Sequence, residues 1–325
     1  MIRKKWRNVI HGCLRAALLA GLTILFMPND SRADEGKLLF TGGVTELEGA
    51  GGGGLVPWAL ITGYETRDGV GADAHYTHAN LGDYRVNAAG LAVGLFDRFE
   101  LSYVNVALGG GIAASLNGGH TISENVVGAK LRLFGSAVYG QGSWIPQVAV
   151  GVQYKNNSDI NGVVKTLQGS LGLPTTSNIP DIKSNGVDFY VAATKLYLAQ
   201  SLLVNTTLRF TKANQFGLAG FGCGNSMVCG SGNNKYSPEG EFTLGYLLNV
   251  RTAVGVEYRT RPDNLKTLSN NLGLGHTLRE DSAYDLWFAY APSKKLDIVL
   301  AYLLLNNVVG SPDTNGLYLS VRAGF

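Results

Sequence analysis

Long apolar runs are scarce in this chain. Beyond its first 27 residues no stretch offers 18 consecutive apolar side chains, so no helix drawn from it spans a bilayer. Charge is sparse as well, with Asp, Glu, Lys and Arg making up 16% of 325 residues. Cysteine occurs three times and histidine five times. Cys223 and Cys229 have no His or further Cys near them in the sequence, as a zinc site of the usual Cys/His kind would need. What replaces these residues is glycine, present 44 times, about twice the usual share of roughly 7%. With mean hydropathy near zero at +0.07, this is the composition of alternating strands and turns.

The positive charge has a local origin. Arg3, Lys4, Lys5, Arg7 and Arg15 precede an apolar run from Ala16 to Met27, and Ser31-Arg32-Ala33 places small residues where a signal peptidase reads them. Residues 1–33 therefore read as a signal peptide and 34–325 as the exported protein. Cys13 lies ahead of the apolar run and is set aside as a lipid-attachment site. Removing six basic residues and one acid leaves 21 basic against 23 acidic residues, so the net +3 of the whole chain argues nothing for nucleic acid. In an oxidising compartment the remaining Cys223 and Cys229, with five residues between them, read as a small-loop disulfide.

The exported part alternates with a period of two. Phe242, Leu244, Tyr246 and Leu248 oppose Glu241, Thr243 and Gly245, and Tyr284, Leu286, Phe288 and Tyr290 oppose Asp285, Trp287 and Ala289. Tyr154, Tyr246, Tyr258, Tyr284, Tyr290 and Tyr302 fall near strand ends on the apolar face, where an interfacial aromatic girdle belongs. Tight turns at 97–98, 199–200, 249–250 and 292–294 alternate with long connections near 109–121, 156–185, 212–237, 262–280 and 306–314, with 136–142 as an intermediate case. That rhythm matches short periplasmic turns and long extracellular loops.

The fold class is therefore all-β, a closed antiparallel transmembrane barrel exported to the Gram-negative outer membrane. Strands are expected near 55–66, 70–78, 84–96, 99–108, 122–134, 143–155, 186–197, 201–211, 238–248, 251–261, 282–291, 295–305 and 315–325. An even count is required, and the preferred reading takes Lys37–Thr45 as a fourteenth strand that pairs with the last one. The alternative is a 12-stranded barrel with the N-terminal segment plugging its lumen. The Gly-rich stretch 46–56 is then a loop or a plug. Its Gly49…Gly54 pattern matches a nucleotide-binding fingerprint in letters alone, because Leu55-Val56-Pro57-Trp58 follows where a helix is needed. No cofactor is assigned.

The final strand sets Leu317, Leu319, Val321, Ala323 and Phe325 on one face, the alternation that barrel-assembly machinery recognises in terminal strands. By the same parity the lumen receives Asp73, Glu100, Asp188, Glu239, Glu241, Glu257, Asp285 and Asp297 against Lys130, Arg132, Lys155, Arg209, Arg251, Arg259 and Arg322. Their signs nearly balance, which disfavours a strongly ion-selective pore. Arg132, Arg209, Glu257, Arg259 and Asp285 are the pore-lining candidates.

Segments Gly36–Val44, Glu48–Ala59, Gly128–Gly135 and Pro146–Lys155 resemble domain-of-unknown-function family 3034, and the resemblance covers nearly all of the exported chain. It implies an outer-membrane barrel and no assigned activity. The function expected is a channel or passive transporter for a small, possibly apolar, solute, with outer-membrane lipid as the surroundings. A closed structural or surface barrel is the alternative. A lipid- or peptide-modifying enzyme is third, resting on Asp73 with His75 or on His120, and no catalytic residue is nominated. Fourteen strands and a Gly-rich plug also occur in hydrophobic-compound transporters, a parallel of fold only.

Overall fold

The computed structural model describes residues 37–65, 67, 69–170, 172, 181–224, 226–230, 233–311 and 314–325. The expected signal peptide lies outside the described residues. Twelve strands form one closed barrel. They are β1 (Val70–Leu81), β2 (Tyr84–Leu95), β3 (Phe99–Gly110), β4 (Ile122–Phe134), β5 (Gln147–Asn157) and β6 (Asn185–Tyr197). The second half is β7 (Leu202–Thr211), β8 (Ser237–Asn249), β9 (Thr252–Arg259), β10 (Ala283–Ser293), β11 (Leu296–Leu304) and β12 (Asn315–Gly324).

Each strand pairs antiparallel with its sequence neighbour, and β12 closes on β1 with Val321 opposite Tyr76 and Arg322 opposite His75. Closure removes every sheet edge, so the backbone polar groups of the wall satisfy one another inside a lipid-facing surface. Burial alternates along the strands as the sequence demands, most cleanly in β8 and β10. The outward face is apolar, with Leu91, Leu101, Leu286 and Leu317 all more than half exposed. Tyr246 and Tyr290 lie toward one end of the wall and Tyr154, Tyr284 and Tyr302 toward the other, all outward and exposed. No helix among the described residues is long and apolar enough to cross a membrane.

Fourteen strands is thus corrected to twelve. Neither Lys37–Thr45 nor the described part of 55–66, residues 55–65, enters the wall, and the last strand closes on Val70–Leu81 instead. Within 37–65 the strand pairing is limited to Val44–Thr45 with Gly51–Gly52 and a single bridge between Gly52 and Pro57. A barrel strand has one face toward lipid, whereas this segment is buried on both sides, with Val56, Ala59 and Ile61 at 0% exposure. The sequence carries that difference: Leu55 to Ile61 is apolar without alternation and contains Pro57, which cannot donate to a ladder.

The described chain starts and ends at one end of the barrel, hereafter the turn end, which also holds the short turns and the 135–146 connection; the other long connections crowd the opposite end, the loop end. One exception is the two-residue turn Gly82–Asp83, which joins β1 to β2 at the loop end. The loops there carry α1 (Gly111–Leu116), α2 (Ile160–Ser170), α3 (Ser226–Cys229) and α4 (Lys266–Asn271). Cys223 and Cys229 are joined by a disulfide. They pack with buried Leu265 and Leu268 into a small apolar core of their own.

Candidate functional site

The lumen is filled from the turn end. Lys37 at the entry of the segment donates to the carbonyls of Ile61 (2.9 Å) and Gly63 (3.3 Å), pinning its two legs together. The chain rises to a tip at Glu46–Leu55 and descends to Glu65 before β1 begins. Buried wall residues hold this plug by its backbone. Glu100 accepts from the amides of Gly51 (3.0 Å) and Thr62 (2.8 Å). Its partner Lys130 donates to the carbonyls of Gly51 and Leu60, both at 2.8 Å. Glu257 accepts from Leu55 N at 2.7 Å, and Thr194, Gln147 and Thr207 bind the backbone of Pro57 and Ala59 at 2.7 Å each.

Glycine is needed where plug and wall come closest. A Cβ on Gly53 would fall inside the Glu257 carboxylate of the wall, and one on Gly52 would lie 2.8 Å from Pro57 Cα where the plug folds back on itself. This is the physical reason for the Gly run: the backbone itself is the packing surface. No helix follows it, so the fingerprint match has no phosphate-binding geometry behind it.

At the plug tip Glu46 and Glu48 enter an ion cluster with the wall. Arg209 reaches Glu241 (2.5 Å), Glu46 (3.2 Å), Glu48 (3.2 Å) and Asp188 (3.5 Å). Arg259 reaches Glu48 (3.0 Å) and Glu239 (3.2 Å), and Lys155 pairs with Asp188 at 2.7 Å and with Glu48. At the turn end Arg322 pairs with Asp297 and lies 3.6 Å from Asp73.

Of the five pore-lining candidates, Arg209, Glu257, Arg259 and Asp285 are buried in the lumen, the first three bound to the plug. Asp285 stands opposite Glu257 in the register and has no hydrogen-bond partner on either carboxylate oxygen. Arg132 is different: it is half-buried at the turn end, bonded to Asp97 and to the carbonyl of Gly135 (2.7 Å). Arg251 is exposed in the turn between β8 and β9. Taking those two out of the lumen and adding plug Glu46, Glu48 and wall Glu124 overturns the near balance of charge. Acids outnumber bases inside, because the parity rule runs past the strand ends and ignores what the plug brings. The assembly-signal residues Leu317, Leu319 and Val321 face outward and exposed on β12, with Ala323 half-buried, and Phe325 is exposed just past the strand's end. His75 sits beside Asp73 at 3.9 Å, deep in the wall and behind the plug, whereas His120 is exposed at the loop end. The two histidines belong to different places and share no site.

Above the plug tip lies a feature the parity reading missed. Leu47, Gly54 and Leu55 form the floor of an apolar chamber of about 40 Å³. Its walls are the inward residues of the loop-end halves of β1–β3 and β11: Ala79, Leu81, Val86, Val106, Leu108 and Leu303. The lumen is therefore two-sided, polar along β5–β9 and apolar here. The signal was present in the sequence, since inward Val104, Val106 and Leu108 follow outward Leu101 and Tyr103 on the same strand, more apolar residues than a strand facing lipid on one side and water on the other requires.

Phe216 and Leu218 cap the chamber from the loop between β7 and β8. Asn157 Nδ2 donates to the carbonyls of Gly217 (3.1 Å) and Leu218 (2.9 Å), and the Phe216 ring stacks 4.8 Å from the Arg259 guanidinium. Gln215 and Phe216 both hold positive φ, 52° and 63°. Such non-glycine conformations cost about 1–3 kcal/mol each, so this lid stays in place only because its contacts over-determine it.

One of those contacts titrates. Glu280 accepts from Gln215 N at 2.9 Å, and burial pushes its carboxyl up to about 8 against the pull of Arg261 and the Gln215 amide. A released lid returns Glu280 to water, where it loses its proton near 4.5. The docked lid binds that proton more tightly, so docking is strongest below about 4.5 and weakens as pH rises towards about 8. Hydrogen exchange at the Gln215 amide, corrected for intrinsic rate, is expected to lose roughly tenfold or more in protection between pH 5 and pH 8. Glu280→Gln removes most of that slope; an equally steep slope in the variant would contradict the assignment.

Among solved structures the chain is similar to the KdgM porin, at 9% identity and TM-score 0.45 over 78% of this chain and 99% of that one. It is similar to an outer membrane channel from Pseudomonas putida F1, at 12% identity and TM-score 0.40 over 83% and 97%. It is also similar to the outer membrane phospholipase A of Escherichia coli, at 10% identity and TM-score 0.35 over 80% and 91%. At such distances nothing about activity passes from them to this chain. Among curated proteins none matches. The family model described as protein of unknown function, DUF3034, matches residues 41–322, and the chain belongs to that family.

Proposed function

We propose that the protein is an outer-membrane barrel that admits a small apolar solute through a plugged and lidded lumen. The observation that carries this reading is the apolar chamber between plug tip and lid. A barrel that passes ions or sugars needs a wetted interior, and a purely structural one needs only the plug to fill it. Here inward Leu81, Val86, Val106, Leu108 and Leu303 leave a gap lined almost wholly by apolar atoms. Apolar enclosures with few polar groups are the usual form of small-molecule sites.

At about 40 Å³ the chamber has room for roughly two or three waters, so a solute enters as the lid gives way. Strain at Gln215 and Phe216 favours the lid as the part that moves, since the plug is tied to the wall at many more points. Entry from the loop end then leads to the plug tip, the one remaining obstacle to the turn end.

The same small volume favours a closed structural barrel as the second reading, and one experiment separates them. Full-length protein in lipid nanodiscs is titrated with toluene, with empty nanodiscs subtracted. Saturable binding that Leu108→Asp abolishes is the expected result. Partitioning identical to that of empty nanodiscs would leave the structural barrel standing.

A further inference from the structure

The chamber's few polar groups say what kind of head group its solute carries. No basic side chain lines it. Its two charged lining residues are both acids, Glu48 and Glu124. Glu48 is already engaged by Lys155 and Arg259. Glu124, on inward β4, is 2% exposed, and its Oε1 has no hydrogen-bond partner. That oxygen sits directly beneath the backbone of Gly217, in the lid.

A second unpartnered carboxyl stands behind the floor. Asp285 Oδ2 would lie 3.0 Å from a Cβ on Gly54, a floor residue, and both of its oxygens lack partners at 3% exposure. Buried acceptors are almost always satisfied, and each one left open costs about 1–3 kcal/mol. One such acceptor on the chamber lining and a second behind its floor, with no basic side chain among the lining residues, leave a site suited to a hydrogen-bond donor.

We propose that the solute is an apolar molecule bearing one hydrogen-bond donor, an ammonium or hydroxyl group, and that Glu124 is the acceptor that selects it. The apolar body fills the space between Leu47, Leu55 and Leu108 while the donor meets Glu124 under the lid. A fatty acid or other apolar carboxylate is refused, because no basic side chain lines the chamber to pair with its charge. This assignment rests on the chamber being the solute site.

Four molecules of nearly one size test it in nanodiscs carrying the full-length protein: toluene, benzyl alcohol, benzylamine and benzoate. Benzylamine and benzyl alcohol are expected to bind at least tenfold more tightly than toluene, and benzoate not at all. Glu124→Gln is expected to erase the benzylamine preference, bringing benzylamine to the affinity of toluene measured on the same variant. The alcohol and amine arms tell whether a neutral donor suffices. Saturable toluene binding with no gain for either donor, or with benzoate bound as well, overturns the assignment and leaves the apolar-solute reading intact. No saturable binding of any of the four overturns both. The wild-type series decides the matter even if the variant fails to assemble.

Discussion

A barrel lacking residues 37–65 is expected to conduct ions in a planar bilayer, where the full-length protein is silent. The twelve-strand wall does not need the plug for closure, since β12 closes on β1 through its own ladder. The segment instead occupies the lumen from Lys37 at the turn end to Glu48 at the chamber floor. Once it is gone, Glu100, Lys130, Arg209, Glu257 and Arg259 lose their partners in the plug and hydrate, turning a packed interior into a wetted one. With Glu100, Glu124, Asp188, Glu239, Glu241, Glu257 and Asp285 facing Lys130, Lys155, Arg209 and Arg259, the opened pore should prefer cations. Single-channel recording with a salt gradient reads both conductance and the sign of selectivity. Intact assembly is checked by the heat-dependent gel shift of a folded barrel. A folded but silent deletion variant would show that the loops, and not the plug, close the passage.

Arg209→Ala is expected to free the plug tip with the wall intact. Arg209 is fully buried and serves Glu46 and Glu48 from the plug and Asp188 and Glu241 from the wall. Removing the cation from a buried cluster leaves carboxylates without compensation, at a cost of about 3–5 kcal/mol. That corresponds to a shift of roughly a hundredfold or more between seated and released plug. The β-ladder is untouched, so the gel shift persists while protease cuts within 46–55 and current bursts appear. Arg209→Met combined with Glu46→Gln and Glu241→Gln should restore much of the seating, because the lost cation then leaves fewer charges behind. If the single variant stays protease-resistant and silent, Arg259 and Lys155 alone hold the tip.

The barrel was legible because a wall strand has two unlike neighbours, lipid and lumen, and writes them alternately along the chain. Tyr284-Asp285-Leu286-Trp287-Phe288 shows this as plainly in sequence as in the burial of β10. The plug was harder to read because it has one neighbour on all sides. A segment buried all round shows no period, so Leu55 to Ile61 reads as one more apolar strand until its surroundings are known. The same blindness hid the chamber: apolar residues on both faces of β3 look like a lapse in alternation, and what they enclose depends on a lid that begins more than a hundred residues later.

By itself, then, the sequence determined the alternation, most of the inward charges, the disulfide pair and the terminal strand, all of which follow from residues close together in the chain. Only the tertiary structure decided the strand count, which wall residues grip the plug, and where the interior is apolar. Those depend on contacts such as Glu46 with Arg209 and Leu55 with Glu257, between residues far apart in the chain. No local pattern records which distant backbone will arrive to fill a lumen.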